Sequence, residues 1–309
     1  MRFIQLSDIH LRTEGPLYGL DTAARLDAVL DAVAADEPAP DFCVVTGDLL
    51  DCGREGDAAS AKALKEKLSR LPAPVFVLPG NHDDPALVRR VFPGAANEGK
   101  APFAPGVRFS GRLEGEDFIA LLIDSSVRGE AGGRVSADDL RRLRRAALEA
   151  AFSRRALVVF LHHPPFRSGY AVMDAAGVKN AGEVLAALRA GTTLAGVEPG
   201  CAFEPIAAGV FCGHLHRPMC ALVQGVPCWC APAVAEPLDP RARGAEVRGT
   251  DGAPGYLRAA VAPDCITAET VVVEAPRTSA QQSFPIPYIP LRARDEEQLA
   301  GRINLKHPH

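Results

Sequence analysis

The chain has 309 residues, of which 47% are apolar and 23% are charged, a balance typical of a globular protein and not of a disordered chain. Its 34 basic and 38 acidic residues give a formal net charge of −4. This argues against a general binder of nucleic acid or anionic membranes, because such binding needs clustered lysine and arginine. No apolar run approaches the roughly 18–20 residues that cross a bilayer, and the first residues pass directly into a strand-like run without an apolar leader. We therefore expect a cytoplasmic protein with no signal peptide and no membrane contact.

Short apolar runs alternate with segments of helical periodicity along the first two thirds of the chain. The predicted strands are 3–7, 42–47, 75–80, 118–124, 156–161 and 209–213, and the predicted helices are 20–35, 58–71, 84–92, 136–152 and 181–190. Such alternation favours an α/β core. After about residue 218 the pattern changes to β-like runs, which we expect to be late strands of the same sheet system.

The eight cysteines include no Cys-x-x-Cys pair and do not form a disulfide framework for a chain of this length. Reduced thiols buried as small hydrophobic groups are the main expectation. A zinc site at Cys228 and Cys230 is the alternative, because two residues at this spacing share one face of a strand.

Five of the predicted strands end in residues that bind metals. In chain order these are Asp8 and His10, Asp48 and Asp51, Asn81 to Asp83, His162 and His163, and His214 and His216. Six of the eight histidines fall in these segments. A histidine used only for packing has no reason to recur at strand ends, so we expect a metal site.

The predicted geometry supports convergence of these side chains. In an open α/β sheet, ligands bind at the carboxyl ends of the strands. Asp8 and His10 are two residues apart, so on an extended backbone both side chains point one way, and the same holds for His214 and His216. Glycine precedes a predicted ligand at positions 47, 80 and 213, where it permits a tight turn and close backbone approach.

The donor set consists of imidazole nitrogens, carboxylate oxygens and one amide oxygen, with no thiolate. This set suits Mn, Fe, Zn or Co better than Cu(I) or an iron–sulfur cluster. The ligands outnumber those that one tetrahedral ion needs, so two metal ions are expected.

The ordered set resembles the calcineurin-like metallophosphoesterase superfamily. It consists of D-x-H at 8–10, GD at 47–48, GNHD at 80–83, H-x-P at 162–164 and GHLH at 213–216, and it covers Met1 to about Pro218. The sequence around these motifs resembles most the bacterial class III cyclic nucleotide phosphodiesterases, and next the related glycerophosphodiesterases. The relevant stretches are GLDTAARLDAVL, PDFCVVTGDLLD, PVFVLPGNHDD and HHPPFRSGYAVMDAAGVKNAGEVLAAL.

The resemblance implies a fold class: α/β, a two-sheet β-sandwich flanked by helices in four layers, αββα. We expect a catalytic domain over 1–275, with its motifs within 1–218 and its late strands in 219–275. Residues 276–309 carry five prolines and a charged patch and are expected to form a C-terminal arm or tail. Family members often pair through their C-terminal regions, so a homodimer is a further expectation.

The resemblance also implies the role of each residue. Asp8, His10 and His216 would hold one metal, Asn81, His162 and His214 the second, and Asp48 would bridge both. A hydroxide between the metals would attack phosphorus in line. His82 would stabilise the transition state or protonate the leaving oxygen, and Asn81 would also steady the phosphate, so these two residues are the predicted substrate contacts.

Several neighbours have two open interpretations. His163 either contacts substrate or points away from it, and Asp51 and Asp83 either orient ligand histidines or, for Asp83 or Asp84, cap a helix. We interpret Asp124 as structural and the arginines at 141, 142, 144 and 145 as a solvated helix face. Four residues on loops are candidates for the rim of the site: Arg12, Tyr18, Arg167 and Met173.

The resulting hypothesis is a dinuclear-metal phosphodiesterase that acts on a small-molecule diester, with 3′,5′-cyclic nucleotides such as cAMP expected. The alternative within enzymes is a glycerophosphodiesterase or a broad alkyl and aryl phosphodiesterase. A Ser/Thr protein phosphatase is disfavoured, because the motifs typical of those enzymes are GD-x-x-DRG and GNHE, whereas this chain has GDLLDCG and GNHDD. A non-catalytic scaffold of the same fold is disfavoured because all seven ligands are present.

Overall fold

The computed structural model describes residues 1–51, 57–94, 100–191, 206–242, 247–275 and 283–286. Within these ranges the strands are β1 (Arg2–Leu6), β2 (Phe42–Thr46), β3 (Val75–Leu78), β4 (Val107–Phe109), β5 (Arg112–Glu114), β6 (Phe118–Ile123), β7 (Ala156–Leu161), β8 (Ala208–Cys212), β9 (Met219–Val223), β10 (Val226–Cys230), β11 (Val247–Gly249), β12 (Gly255–Ala262), β13 (Cys265–Val272) and β14 (Phe284–Ile286). The helices are α1 (Thr22–Ala34), α2 (Ala58–Leu68), α3 (Pro85–Val91), α4 (Ala137–Ser153), α5 (Ala171–Ala175) and α6 (Ala181–Arg189).

Two six-stranded sheets form the centre of the molecule. The first has the order β13-β12-β1-β2-β3-β4, and the second has the order β5-β6-β7-β8-β10-β9. Strands β1 to β4 run parallel to one another, as do β6 to β8. Parallel neighbours place their carboxyl ends at the same edge of a sheet, so the five motif-bearing turns, after β1, β2, β3, β7 and β8, can meet there.

Hydrophobic layers on both faces of each sheet explain why the central strands are continuously apolar. Helices α1 and α2 pack on the first sheet, where Leu26, Val29 and Leu64 contact β1 and β2 side chains. Helices α4 and α6 cover the second sheet in the same way. Between the sheets lies a third cluster rich in phenylalanine, in which the Phe3 ring packs edge-on against Phe160 and Phe211. The layers are therefore αββα, as predicted.

The helices begin where the sequence supplies caps. The Asp21 side chain accepts from Ala24 N at the start of α1, and Ser136 accepts from Asp139 N at the start of α4. On α4, the four arginines predicted to form a solvated face are all exposed, whereas Leu143 is buried. Among the described residues, no helix has the length and apolar character that a bilayer crossing requires.

Each predicted strand and helix overlaps an element of the structure, and the late runs complete both sheets. Strands β12 and β13 extend the first sheet beside β1, while β9 and β10 extend the second beside β8. The prediction missed α5 and the three-residue strands β4, β5, β11 and β14. Most of the predicted arm, 276–309, lies outside the described residues, so the domain boundary at residue 275 stays a prediction.

Candidate metal centre

The predicted ligands lie on sharp turns directly after the strands. Five of the seven have a left-handed backbone, with φ of 53° at Asp8, 43° at His10, 48° at Asp48, 71° at His214 and 51° at His216. Non-glycine residues seldom adopt this conformation, and it concentrates at functional sites. The expectation of an extended backbone at Asp8–His10 and His214–His216 is therefore wrong. The turns bring Asp8 and His10 together but send His214 and His216 to different clusters.

The first cluster contains Asp8, His10, Asp48 and His216, all buried, with potential ligand atoms within 4.8 Å of one another. The Nε2 atoms of His10 and His216 are 3.2 Å apart. His216 Nε2 lies 3.5 Å from Asp8 Oδ1, and His10 Nε2 lies 3.4 Å from Asp48 Oδ2. Three strand ends, those of β1, β2 and β8, thus bring four side chains from both sheets to one point.

The second cluster surrounds the amide of Asn81. Its Oδ1 is 3.0 Å from His162 Nε2 and 2.9 Å from His214 Nδ1. His163 belongs to the same group of potential ligands by distance. Its ring, however, contacts Ser125 Oγ (2.8 Å) and the Ala131 carbonyl (3.2 Å) through its two nitrogens. His163 is fully buried, so it supports the site from behind and does not line the substrate side.

Asp48 lies between the two clusters. Its Oδ2 is 3.4 Å from His10 Nε2 in the first cluster and 3.3 Å from His162 Nε2 in the second. Its Oδ1 accepts a hydrogen bond from the backbone N–H of His82. One carboxylate oxygen that faces both clusters is the position that a ligand shared by two ions would occupy.

The donor set fits metal ions. His162 Nδ1 faces the Thr46 carbonyl at 2.7 Å, and His216 Nδ1 faces the Glu236 carbonyl at 2.7 Å. A carbonyl only accepts, so each Nδ1 carries a proton, and each Nε2 is the nitrogen that faces the site and would lose its own proton on binding a metal ion. The neighbouring donor atoms lie 2.9–3.5 Å apart, close enough for one ion to contact several of them.

Burial and the neighbouring charges set the pKa values of the protein groups. Burial lowers the pKa of His10 and of His214 well below the usual range, which favours the neutral, ligand-competent imidazole. Burial alone would raise the pKa of Asp48, but His162 and His82 outweigh it and lower that pKa. Burial also opposes protonation of His162, yet the Asp48 carboxylate raises its pKa to about 9.

His82 lies beside the clusters and is half-buried. Its ring centroid is 4.7 Å from that of His10, and its Nδ1 is 2.8 Å from the backbone carbonyl of Asp51. The carbonyl fixes the proton on Nδ1, so His82 Nε2 is the atom that can exchange a proton. The Asp51 carboxylate stands 4.0 Å from His10 Nδ1, which is too far for a hydrogen bond that would orient the ring.

The structure resolves the open interpretations of the other acidic neighbours. Asp83 accepts from the backbone N–H groups of Leu49, Leu50 and Gly80, so it clamps the loop that carries Asp48 and orients no histidine. Asp84 caps helix α3 by accepting from Ala86 N. Asp124 pairs with Arg89 at 2.7 Å and also accepts from Ser126, in keeping with a structural role.

The four rim candidates differ in position. Arg12 stands 3.7 Å from Asp51 and is partly exposed. The Tyr18 ring stacks on Phe284 of β14 with centroids 5.6 Å apart. Arg167 is exposed, whereas Met173 is buried in a cluster with Tyr170 and Leu215, so Met173 is not a rim residue.

Sequence reasoning missed Glu236, which is buried and lies 3.7 Å from His216 Nδ1 through Oε1. Its only sequence signal is a charge inside the apolar run AVAEPL. Burial raises the pKa of Glu236 to about 7. The structure does not support the alternative of a zinc site at Cys228 and Cys230. Both cysteines are buried, and Cys230 Sγ contacts the Gly213 carbonyl. The metal-capable groups of the described residues contain neither cysteine.

The comparisons agree with this fold. The model of the calcineurin-like phosphoesterase family matches residues 1–218. The chain belongs to this family, and it is a metal-dependent phosphoesterase.

Similar proteins include phosphodiesterases of two kinds. A probable cyclic nucleotide phosphodiesterase of Rhodopseudomonas palustris is 30% identical over 74% of this chain and 76% of its own length. The glycerophosphodiester phosphodiesterase GpdQ of Enterobacter lignolyticus is 31% identical over 70% of this chain and 71% of its own. Among solved structures, a dimetal phosphatase from Danio rerio has a TM-score of 0.59 at 14% identity and covers 89% of this chain and 99% of its own, a likeness of fold.

Proposed function

We propose that this phosphoesterase acts on phosphodiesters, with 3′,5′-cyclic nucleotides such as cAMP among its substrates, and that it uses two metal ions. The observation that carries the two-ion proposal is the position of Asp48 Oδ2, 3.4 Å and 3.3 Å from histidines of separate clusters. Asp8, His10 and His216 hold one ion, and Asn81, His162 and His214 hold the other. Mn, Fe, Zn and Co all suit these donors.

When bound, such a pair supplies positive charge to the phosphate and lowers the pKa of a water molecule. The chain's own residues supply the rest. Asn81, at the centre of the second cluster, steadies the phosphate beside that cluster. His82 Nδ1 donates a hydrogen bond to the Asp51 carbonyl; in the imidazolium form, a second proton at Nε2 would be the one passed to the leaving oxygen or shared with it in the transition state.

Support for a diester comes from the relatives and from the chain. The E. coli 3′,5′-cyclic adenosine monophosphate phosphodiesterase CpdA is 29% identical over 70% of both chains. No arginine lies within the five motifs, and a monoester dianion needs more cationic help than a diester monoanion. Arg12, Arg167 and Arg217 lie just outside the motifs.

The glycerophosphodiester phosphodiesterases among the relatives favour a second candidate, hydrolysis of glycerophosphodiesters. A substrate panel on Mn-loaded enzyme separates the two. It contains 3′,5′- and 2′,3′-cyclic nucleotides, glycerophosphodiesters, bis(p-nitrophenyl) phosphate and p-nitrophenyl phosphate. We expect cAMP to be hydrolysed faster than p-nitrophenyl phosphate. A faster monoester would contradict the diesterase proposal, and good turnover of glycerophosphodiesters with none of any cyclic nucleotide would establish the second candidate.

A cytoplasmic location and the pairing of two copies are further proposals, based on the sequence. Equilibrium sedimentation of the full chain tests the pairing, with a dimer expected.

A further inference from the structure

A short segment, residues 234–236, connects the ends of two ligand-bearing strands. Val234 N donates to the Ser7 carbonyl at 3.1 Å, and Ala235 N donates to the Asp8 carbonyl at 2.9 Å. The carbonyl of Glu236 accepts from His216 Nδ1 at 2.7 Å. The segment, called here the 234–236 strap, thus holds Asp8 from the first sheet and His216 from the second in one arrangement.

Arg25 of helix α1 anchors the strap from the opposite side. The Arg25 side chain is fully buried. Its Nε lies 2.9 Å from the Ala235 carbonyl and 3.3 Å from the Val234 carbonyl, and its Nη2 lies 2.6 Å from the Gly252 carbonyl. These contacts hold the backbone of the strap, and with it the backbone of Glu236, on both sides.

The Glu236 carboxyl faces the imidazole of His216. Its Oε1 is 3.7 Å from His216 Nδ1, and the residue is only 4% exposed. Among the described residues, its Oε2 has no hydrogen-bond partner. A carboxylate buried this way is costly unless positive charge lies nearby, and the imidazole with the cation it would hold is that charge.

We propose that Glu236 is a positioning residue that strengthens His216 as a metal ligand. The carboxylate and the backbone carbonyl together keep the proton on Nδ1 and orient Nε2 toward Asp8 and His10. A carboxylate behind a ligand imidazole also raises its basicity toward the ion. This inference rests on the proposed metal function, and it goes beyond it by naming a residue outside the seven ligands.

The second cluster provides an internal comparison. His162 Nδ1 is held by the Thr46 carbonyl at 2.7 Å, the same contact that Glu236 O makes with His216. The described contacts of His162 Nδ1 include a neutral carbonyl and no carboxylate. Glu236 should therefore affect one ion position and leave the other unchanged.

The experiment is a calorimetric titration of the metal-free full-length protein with MnCl₂, for the wild type and for Glu236→Gln. Glutamine keeps the shape and the backbone carbonyl but removes the charge. We expect one of two Mn²⁺ sites to weaken by about 10–100-fold, the usual effect of losing such a partner, with the other site unchanged. Glu269→Gln, which removes a mostly exposed carboxylate on edge strand β13 paired with Arg258, should bind Mn²⁺ like the wild type.

Thermal unfolding distinguishes positioning from a structural role. Removing a buried charge should leave the Tm of the metal-free protein unchanged or raised, while the increase in Tm on adding Mn²⁺ becomes smaller. Glu236→Asp, which withdraws the charge by one methylene, should weaken the same site less. Unchanged affinity at both sites, equal weakening of both, or a lower Tm without metal would overturn the inference. A wild type that binds no Mn²⁺ would instead overturn the proposed function on which it rests.

Discussion

At the scale of single residues, Asp48 is the point where the two ligand clusters meet, because its Oδ2 lies within 3.4 Å of a histidine in each. Asp48→Ala should therefore lower the occupancy of both ions and reduce kcat/KM by more than the roughly 10–100-fold typical of losing an outer partner of a ligand. His10→Ala should weaken mainly one site and be partly rescued by excess Mn²⁺. Elemental analysis alongside kinetics makes the comparison. Near-normal turnover with two bound ions in Asp48→Ala would show that Asp48 is not shared.

His82 should behave in the opposite way, because it stands beside the clusters and its Nδ1 is held by the Asp51 carbonyl. His82→Ala should leave the metal content nearly intact and lower kcat by about 10²–10⁴-fold, the usual range for a lost proton donor. A good leaving group needs less protonation, so the loss should be smaller for bis(p-nitrophenyl) phosphate than for an alkyl diester. Equal losses on both substrates would indicate that His82 positions the substrate instead.

The sequence predicts residues that belong to a repeated pattern and misses those that act through backbone geometry. Asp8, His10 and Asp48 could be predicted because a metal donor after an apolar run is unusual in itself. Glu236 could not, since the residue acts on His216 only after the chain has folded back across both sheets. The left-handed backbone at Asp8 and His214 was likewise hidden, because no glycine marks those positions.

At the scale of elements, the turns after the strands leave little room for added volume. A Cβ at Gly80 would lie 2.1 Å from Asp48 Oδ1 and 2.4 Å from Asp48 N, so the loop that carries Asp48 would have to move. Gly80→Ala should reduce Mn²⁺ affinity and activity by at least about 100-fold, since a displaced ligand loses more than an outer-partner change does. Circular dichroism would show whether the fold is retained.

Gly182→Ala is the matched control, because a Cβ there meets no atom within 4 Å and the residue lies in helix α6. Alanine should stabilise that helix by about 0.5–1 kcal/mol and leave Mn²⁺ binding unchanged. If Gly80→Ala retained wild-type affinity for Mn²⁺, close approach of β3 to Asp48 would not be required for binding.

Strand β5 and helix α4 are joined by a network of ion pairs. Arg112 contacts Glu114 and Glu149, each at 2.7 Å. The hydrogen bond from Arg112 lowers the pKa of both carboxyls from the ordinary value of 4.5. A carboxyl whose pKa is lower in the folded protein than in the unfolded chain stabilises the fold at any pH above its unfolded-state pKa. That stabilisation is lost as the pH falls through the pKa of the folded state.

Arg112→Met should therefore cost about 1 kcal/mol at neutral pH, and the difference should shrink as the pH falls below 4.5. Urea unfolding at several pH values measures it. Arg141→Met removes an exposed pair with Asp138 within α4 and should cost only about 0.3–0.5 kcal/mol. A loss of stability in Arg112→Met that is independent of pH would mean that packing of the side chain, and not its charge, joins these elements.

Long elements with a clear period could be predicted, whereas three-residue strands could not. Helix α4 has capped ends and an alternation of exposed arginines with buried alanines and leucines, so its position follows from the sequence. Strand β14 becomes a strand only by pairing with β11, as Phe284 faces Gly249 across the pair. Such short pairings depend on tertiary contacts and leave no periodic signal.

At the scale of the whole molecule, the site lies across the junction of the two sheets. Gln5 on β1 donates to Thr46 on β2 and to the Cys212 carbonyl on β8, and His214 N donates to the Asp8 carboxylate. The proposed ligand sets also combine both sheets, with Asp8 and His216 in one and Asn81 and His162 in the other. Bound ions would therefore connect the two halves of the sandwich.

This arrangement predicts a large effect of metal removal on unfolding. The ligand side chains are buried and turn carboxylate oxygens, an amide oxygen and imidazole nitrogens toward one another, so a bound ion would hold these groups together. Each bound ion adds about 2.7 kcal/mol to the free energy of unfolding when its free concentration is about 100 times its Kd. With an unfolding entropy of about 2.1 cal/mol/K per residue, a chain of this size gains about 4 °C in Tm per ion. Calorimetric scans with chelator, and then with increasing Mn²⁺, should show one cooperative transition that moves upward by about 8 °C in total. Movement of only part of the transition would mean that the ions stabilise one sheet and its helices alone, and that the two sheets unfold independently.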